Sequence, residues 1–185
     1  MSLENSTTTS DFLQWDEALS LVSKLERDEE YTFSLLIAAG IFTGLRISDI
    51  KSLRWTDLLE SENISLNEKK TGKKRLIKIN PLLQGIAKRL YLKIGQPMED
   101  EIFSLSIQYI NRKFKQIKVG YKLKINHISS HSLRKTFGRR VWEMDNHSEK
   151  ALIMLSEIFN HSGTAITRKY LGIRAQEISN IYELL

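Results

Sequence analysis

Residues 63–80, NISLNEKKTGKKRLIKIN, alternate apolar and polar side chains on both sides of a Thr71-Gly72 pair. Such alternation is typical of strands with one buried face, and a glycine-containing pair between two alternating runs is typical of a tight turn. The stretch therefore predicts an antiparallel β-hairpin. The hairpin is also strongly basic, because four lysines flank the turn: Lys69, Lys70, Lys73 and Lys74.

The rest of the chain is dominated by apolar residues at helical spacing. This spacing predicts seven helices, over residues 12–25, 31–42, 82–94, 107–119, 132–144, 151–159 and 178–185. Gly44 is placed to end the second helix, and Pro81 is placed to begin the third. The predicted fold class is mainly α with a small antiparallel β-hairpin or three-stranded sheet, an α+β fold.

Composition limits the class of protein. A chain of 185 residues with 41% hydrophobic content is long enough for one domain with a substantial core. Lys and Arg number 28 against 22 Asp and Glu, and the net charge of +6 favours a polyanionic partner such as nucleic acid. There is no cysteine, which excludes disulfides and thiolate chemistry.

The ends of the chain give further expectations. Residues 1–10, MSLENSTTTS, are polar and lack an apolar period, so we expect a flexible lead or an expression remnant, with one domain over residues 11–185. No stretch reaches the roughly 18 apolar residues of a membrane span, and no signal peptide is recognisable. We expect a cytoplasmic protein without a membrane partner, associated with the nucleoid when it is bound to DNA.

Three short stretches could carry chemistry beside the hairpin. In HSLRKTF, residues 131–137, helical spacing places His131 and Arg134 on one face, where both could meet a single anion. A solvated basic face would explain the same pattern. In TGLR, Arg46 is either functional or simply exposed after a capping Gly44, and the hairpin lysines could serve only to protect a sheet edge.

The stretch FNHSGTAITRKY, residues 159–170, places His161 nine residues before Tyr170. On one unbroken helix the two side chains would lie on nearly opposite faces, but Ser162 and Gly163 favour a break and a new helix start, which lets them converge. Nearby Arg168, Lys169 and Arg174 predict a positive field that favours a phenolate and attracts phosphate. The alternative is a tyrosine that only packs.

The order of these motifs resembles the catalytic domain of the tyrosine recombinase (phage integrase) family, over about residues 12–180. Four stretches each match one conserved motif of that family: TGLRISDIKSLRW, KKTGKKRLIKI, HSLRKTF and NHSGTAITRKY. One departure is visible, because Phe159-Asn160 stands where the family usually has Leu-Gly. The resemblance implies six catalytic residues: Arg46, Lys70, His131, Arg134, His161 and Tyr170.

The resemblance also implies a mechanism of DNA strand breakage and rejoining that uses neither a metal, ATP nor another cofactor. Tyr170 would form a 3′-phosphotyrosine, because a phenol can remain attached to phosphate as an ester. The planar guanidinium group of an arginine can bind two phosphate oxygens at once. An imidazole titrates near neutral pH, and a hairpin lysine can protonate the leaving oxygen. Further candidate DNA contacts are Lys69, Lys73, Lys74, Lys135 and Arg168.

The expected partners are double-stranded DNA and other recombinase subunits. Family members usually carry an N-terminal domain that completes a clamp around DNA, and we expect that domain to be absent here. The amphipathic tail GIRAQEISNIYELL, residues 172–185, would dock either on a neighbouring subunit or on its own domain. A phage or mobile element is the expected source. The alternatives are a non-catalytic DNA-binding accessory module and a type IB topoisomerase-like enzyme.

Overall fold

The computed structural model describes residues 10–173 and 181–183, and in them helices surround one small sheet. The elements in chain order are α1 (Trp15–Arg27), α2 (Tyr31–Thr43), α3 (Ile47–Ile50), α4 (Trp55–Leu59), β1 (Asn63–Asn67), β2 (Lys74–Lys78), α5 (Pro81–Ile94), α6 (Ile107–Gly120), α7 (Ser130–Met144), α8 (Glu149–Phe159) and α9 (Thr164–Leu171). The predicted mainly helical class is confirmed.

The predicted hairpin is formed by β1 and β2, which pair antiparallel with Ile64 opposite Ile77. Gly72 takes the turn with a φ of +67°, a conformation that glycine adopts without steric cost. In the described part of the chain the sheet has two strands, so the three-stranded form is not observed. Outside the sheet, the described residues form one isolated bridge, between Arg54 and Glu101.

Local signals explain most helix ends. Gly44 ends α2 in the left-handed region with a φ of +60°, and a Cβ there would lie 2.4 Å from the Phe137 ring. Helix α5 starts at Pro81, as expected, with the Asn80 side chain accepting from the amide of Leu82. Helix α7 starts two residues earlier than predicted because Ser129 caps it. The predicted helix 178–185 lies largely outside the described residues.

Two apolar clusters build the domain. The larger one surrounds α2, whose residues Leu35, Leu36 and Ile37 are fully buried. The smaller one joins α7, α8 and α9, with Phe159 and Leu171 fully enclosed. Burying a side chain of this size contributes about 1.5–3 kcal/mol, so the smaller cluster holds the end of α8 and the start of α9 against α7. Within the described ranges, no helix combines the length and apolar character needed to cross a membrane.

Candidate active site

Two arginines from distant parts of the sequence meet beneath the end of α8. Arg134, on α7, is 4% exposed, donates from Nη1 to the Gly44 carbonyl at 2.5 Å and lies 4.3 Å from the centre of the Phe159 ring. Its other terminal nitrogen has no hydrogen-bond partner among the described residues. Arg46 donates to the Phe159 carbonyl at 3.2 Å. Both guanidinium groups therefore flank one short segment.

A buried carboxylate that we did not predict orients Arg46. Glu68 is 1% exposed and accepts from Arg46 at 2.7 Å and from Arg75 at 3.1 Å. Burial alone would raise the pKa of Glu68, but hydrogen bonds from Arg46 and Thr71 outweigh it and lower that pKa to about 2. The one feature of the sequence that could have indicated this role is that Glu68 is the single acidic residue within the basic hairpin.

Helix α7 carries His131 toward the same cations. The residue is exposed, but partial burial of its ring, followed by the charges of Lys135 and Arg134, lowers the pKa of His131 below its usual range. The imidazole is therefore neutral at neutral pH and able to accept a proton.

The predicted break between His161 and Tyr170 is confirmed. Asn160 ends α8 in the left-handed region with a φ of +52°, a conformation that glycine and asparagine favour, and α9 begins at Thr164. The rings of His161 and Tyr170 lie 5.3 Å apart, edge to face. His161 Nδ1 shares a hydrogen bond of 2.9 Å with the hydroxyl of Thr167, a contact we did not predict.

The electrostatics of these two side chains differ from expectation. Burial, then the charges of Arg134 and Arg46, lowers the pKa of His161 to about 4. Burial raises the pKa of Tyr170 to about 12, and Arg134 and Arg46 only partly oppose this shift. The Tyr170 hydroxyl is buried and has no hydrogen-bond partner in the described part of the protein.

The prediction of a field that favours the Tyr170 phenolate was therefore wrong in its net effect, because the pKa of Tyr170 is raised. Arg168 is turned toward Glu149, with which it forms an ion pair, and Arg174 lies outside the described residues. The charges that do favour a phenolate, those of Arg134 and Arg46, come from other parts of the chain.

The hairpin lysines are exposed, and their side chains differ in what they contact. Lys73 donates to the Asn160 side chain at 2.8 Å. Lys70 makes no hydrogen bond within the described ranges, and its charge helps to lower the pKa values of His131 and His161. The backbone amide of Lys69 donates to the buried Asp49 carboxylate at 2.9 Å, which fastens the hairpin to α3.

Lys135 does not lie where a DNA contact was expected. It is 7% exposed, its ammonium donates to the Ser10 carbonyl at 2.5 Å and it lies 5.3 Å from the centre of the Tyr170 ring. The helical spacing could not reveal this burial, because the residues that cover Lys135 come from the start and the end of the chain. Lys135 therefore packs inside the domain, beside the Tyr170 ring.

Comparison with known proteins shows the family of this chain. The model of the Phage integrase family matches residues 11–177. The chain is 31% identical over 160 residues to "Probable integrase/recombinase YoeC" of Bacillus subtilis (strain 168), covering 83% of this chain and 81% of that protein. It is 24% identical to tyrosine recombinase XerC of Xanthomonas campestris pv. campestris, covering 76% of this chain but 44% of XerC.

A solved structure shows the same fold. The XerH site-specific recombinase, in a post-cleavage complex with a palindromic difH substrate, superposes with a TM-score of 0.68 at 20% identity, covering 99% of this chain and 56% of that one. The fold and the site thus define a tyrosine recombinase catalytic domain. The chain belongs to the phage integrase family.

Proposed function

We propose that this chain is a site-specific recombinase or integrase that breaks and rejoins double-stranded DNA through a covalent 3′-phosphotyrosine. One observation carries the proposal: residues 46, 134, 161 and 170 converge on the segment at the end of α8, although they are far apart in sequence. Two guanidinium groups beside a tyrosine suit a phosphodiester, whose charge they neutralise while the phenol attacks.

Each group then has a defined task. Tyr170 Oη forms a bond to phosphorus as the bond from phosphorus to the 5′ oxygen breaks. The phenolic proton passes to His131, which is neutral, and Lys70 protonates the departing 5′ oxygen. The non-bridging oxygens of the phosphate are held by Arg46, Arg134 and His161. The DNA strand with the free 5′ hydroxyl reverses these steps when it is rejoined, and no metal ion or nucleotide cofactor takes part.

The buried Tyr170 hydroxyl resists ionisation more than an ordinary tyrosine does. With a pKa of about 12, ionising Tyr170 at pH 7 costs roughly 7 kcal/mol, at 1.36 kcal/mol per pKa unit. The buried hydroxyl must therefore meet a proton acceptor as it attacks. A bound DNA phosphate would compete for the guanidinium groups and draw the phenol toward them, so cleavage follows DNA binding.

The partners follow from the same chemistry. The exposed Lys69, Lys70, Lys73 and Lys74 extend the positive surface beside the site and fit a DNA backbone. We also propose that other recombinase subunits complete the active assembly, with the tail after Gly172 exchanged between them. Residues 174–180 and 184–185 of that tail lie outside the described residues. A phage or another mobile element remains the proposed source.

Covalent trapping tests this function. Nicked duplexes that prevent rejoining should accumulate a protein–DNA adduct in a sequence-dependent way, and Tyr170→Phe should bind DNA without forming it. Tyr109→Phe is the matched control, because Tyr109 is 38% exposed, lies on α6 and belongs to none of the four motifs. Binding without any adduct would indicate an accessory module, and relaxation of supercoiled DNA without sequence preference would indicate a topoisomerase.

A further inference from the structure

Glu68 joins three separate segments of the chain. Its Oε2 atom accepts from Arg46 at 2.7 Å, from the Thr71 hydroxyl at 2.8 Å and from the Asn160 amide at 3.0 Å. Its Oε1 atom accepts from Arg75 at 3.1 Å. The hairpin, the Arg46 loop and the loop that carries His161 therefore share one buried carboxylate.

Asn160 supplies the contact from the loop between α8 and α9. Its amide nitrogen donates to Glu68, and its amide oxygen accepts from Lys73 at 2.8 Å. The contact to Lys73 is exposed to solvent and contributes little to stability, whereas the contact to Glu68 is part-buried and its acceptor carboxylate is 1% exposed. Of the two Asn160 contacts, the bond to Glu68 is therefore the stronger link between the hairpin and the loop that carries His161.

We infer that Asn160 is a positioning residue, which fastens the hairpin to the His161 loop through Glu68 and so holds Lys70 over the scissile phosphate. This inference rests on the proposed function, because Lys70 has a task only if a 5′ oxygen leaves. Lys70 lies two residues after Glu68 and makes no side-chain hydrogen bond in the part of the chain that the structure describes. Its position therefore depends on the backbone of the hairpin, which Glu68 anchors.

The position of Asn160 allows a clean substitution. Its φ of +52° and ψ of +46° suit glycine, so Asn160→Gly removes the amide contacts without backbone strain. The apolar cluster below, including Phe159, is untouched. Asn146→Gly is a matched control, since Asn146 also has a left-handed backbone, with a φ of +49°, in the loop between α7 and α8.

The first measurement uses the DNA-free protein. Amide hydrogen exchange across residues 68–75 should become about tenfold faster in Asn160→Gly, the effect expected for losing one hydrogen bond to a charged group, and stay unchanged in Asn146→Gly. Unchanged exchange in Asn160→Gly would overturn the inference. This readout needs no cleavage, so a wild-type protein that never cleaves would refute the proposed function while the role of Asn160 is still decided.

The second measurement asks whether Lys70 is what Asn160 positions. Asn160→Gly should cleave ordinary DNA about ten to a hundred times more slowly at saturating DNA, because small misplacements of a catalytic group are costly. A substrate with a 5′-bridging sulfur, whose leaving group needs no proton, should be cleaved at nearly the wild-type rate. Equal slowing on both substrates would show that Asn160 does not act through the acid, and would overturn the inference.

Discussion

Glu68→Gln tests whether the buried carboxylate stabilises the site by its charge. The pKa of Glu68 is about 2 in the folded protein against an ordinary value of 4.5. At 1.36 kcal/mol per pKa unit, the ionised carboxylate contributes about 3 kcal/mol to the free energy of unfolding at pH 7. Because the folded pKa is depressed, this contribution is complete above about pH 4.5 and disappears as the pH falls through about 2.

Urea unfolding of the wild type and of Glu68→Gln at several pH values measures this contribution. The difference in the free energy of unfolding should be about 3 kcal/mol at pH 7 and about 2 kcal/mol at pH 3.5. Other carboxylates titrate in both proteins and cancel in the difference. A difference below about 1 kcal/mol at pH 7, or one that does not decline in acid, would refute the assignment of Glu68 as an ionised anchor for Arg46 and Arg75.

Three further outcomes are expected. Lys70→Ala should slow cleavage of ordinary DNA by about 10²–10⁴-fold, and its cleavage rate should recover on a 5′-bridging sulfur substrate. Lys73→Ala should show little of either effect. If the sulfur substrate rescues Lys73→Ala instead, Lys73 is the general acid. DNA binding by this chain should weaken steeply with salt in a titration, and tight, salt-insensitive binding to random DNA would contradict the phosphate-contact account. Gly138→Ala should lower the free energy of unfolding by about 1–3 kcal/mol in urea, because its Cβ would lie 2.6 Å from a Leu171 methyl; an unchanged value would show that the small cluster repacks freely.

Local sequence signals predicted the regular elements well where they were strong. The apolar run of α2 ends at a glycine, and the hairpin alternates around Thr71-Gly72, so both were located within a few residues. Helix α1 was extended too far because Phe12 and Leu13 continue its apolar pattern, whereas the amide of Leu13 bonds to the side chain of Thr136. The short helices α3 and α4 were missed, since neither is long enough to show a period.

The candidate site depends on features that local sequence patterns do not predict. Motif order identified its candidate residues, and the break after His161 predicted their convergence. Glu68 was missed because its partners Arg46 and Asn160 lie 22 and 92 residues away, and no period encodes such contacts. The raised pKa of Tyr170 was missed for a related reason, because it depends on burial by distant segments rather than on adjacent charges.

The central claim is that Tyr170 is the nucleophile. Protease digestion of a trapped protein–DNA adduct, followed by mass spectrometry of the DNA-linked peptide, tests it most directly. We predict that the 3′ phosphate is attached to Tyr170, within the peptide that follows Arg168 or Lys169 when trypsin is used. Attachment to Tyr182 or to any other residue would contradict the assignment of the whole site.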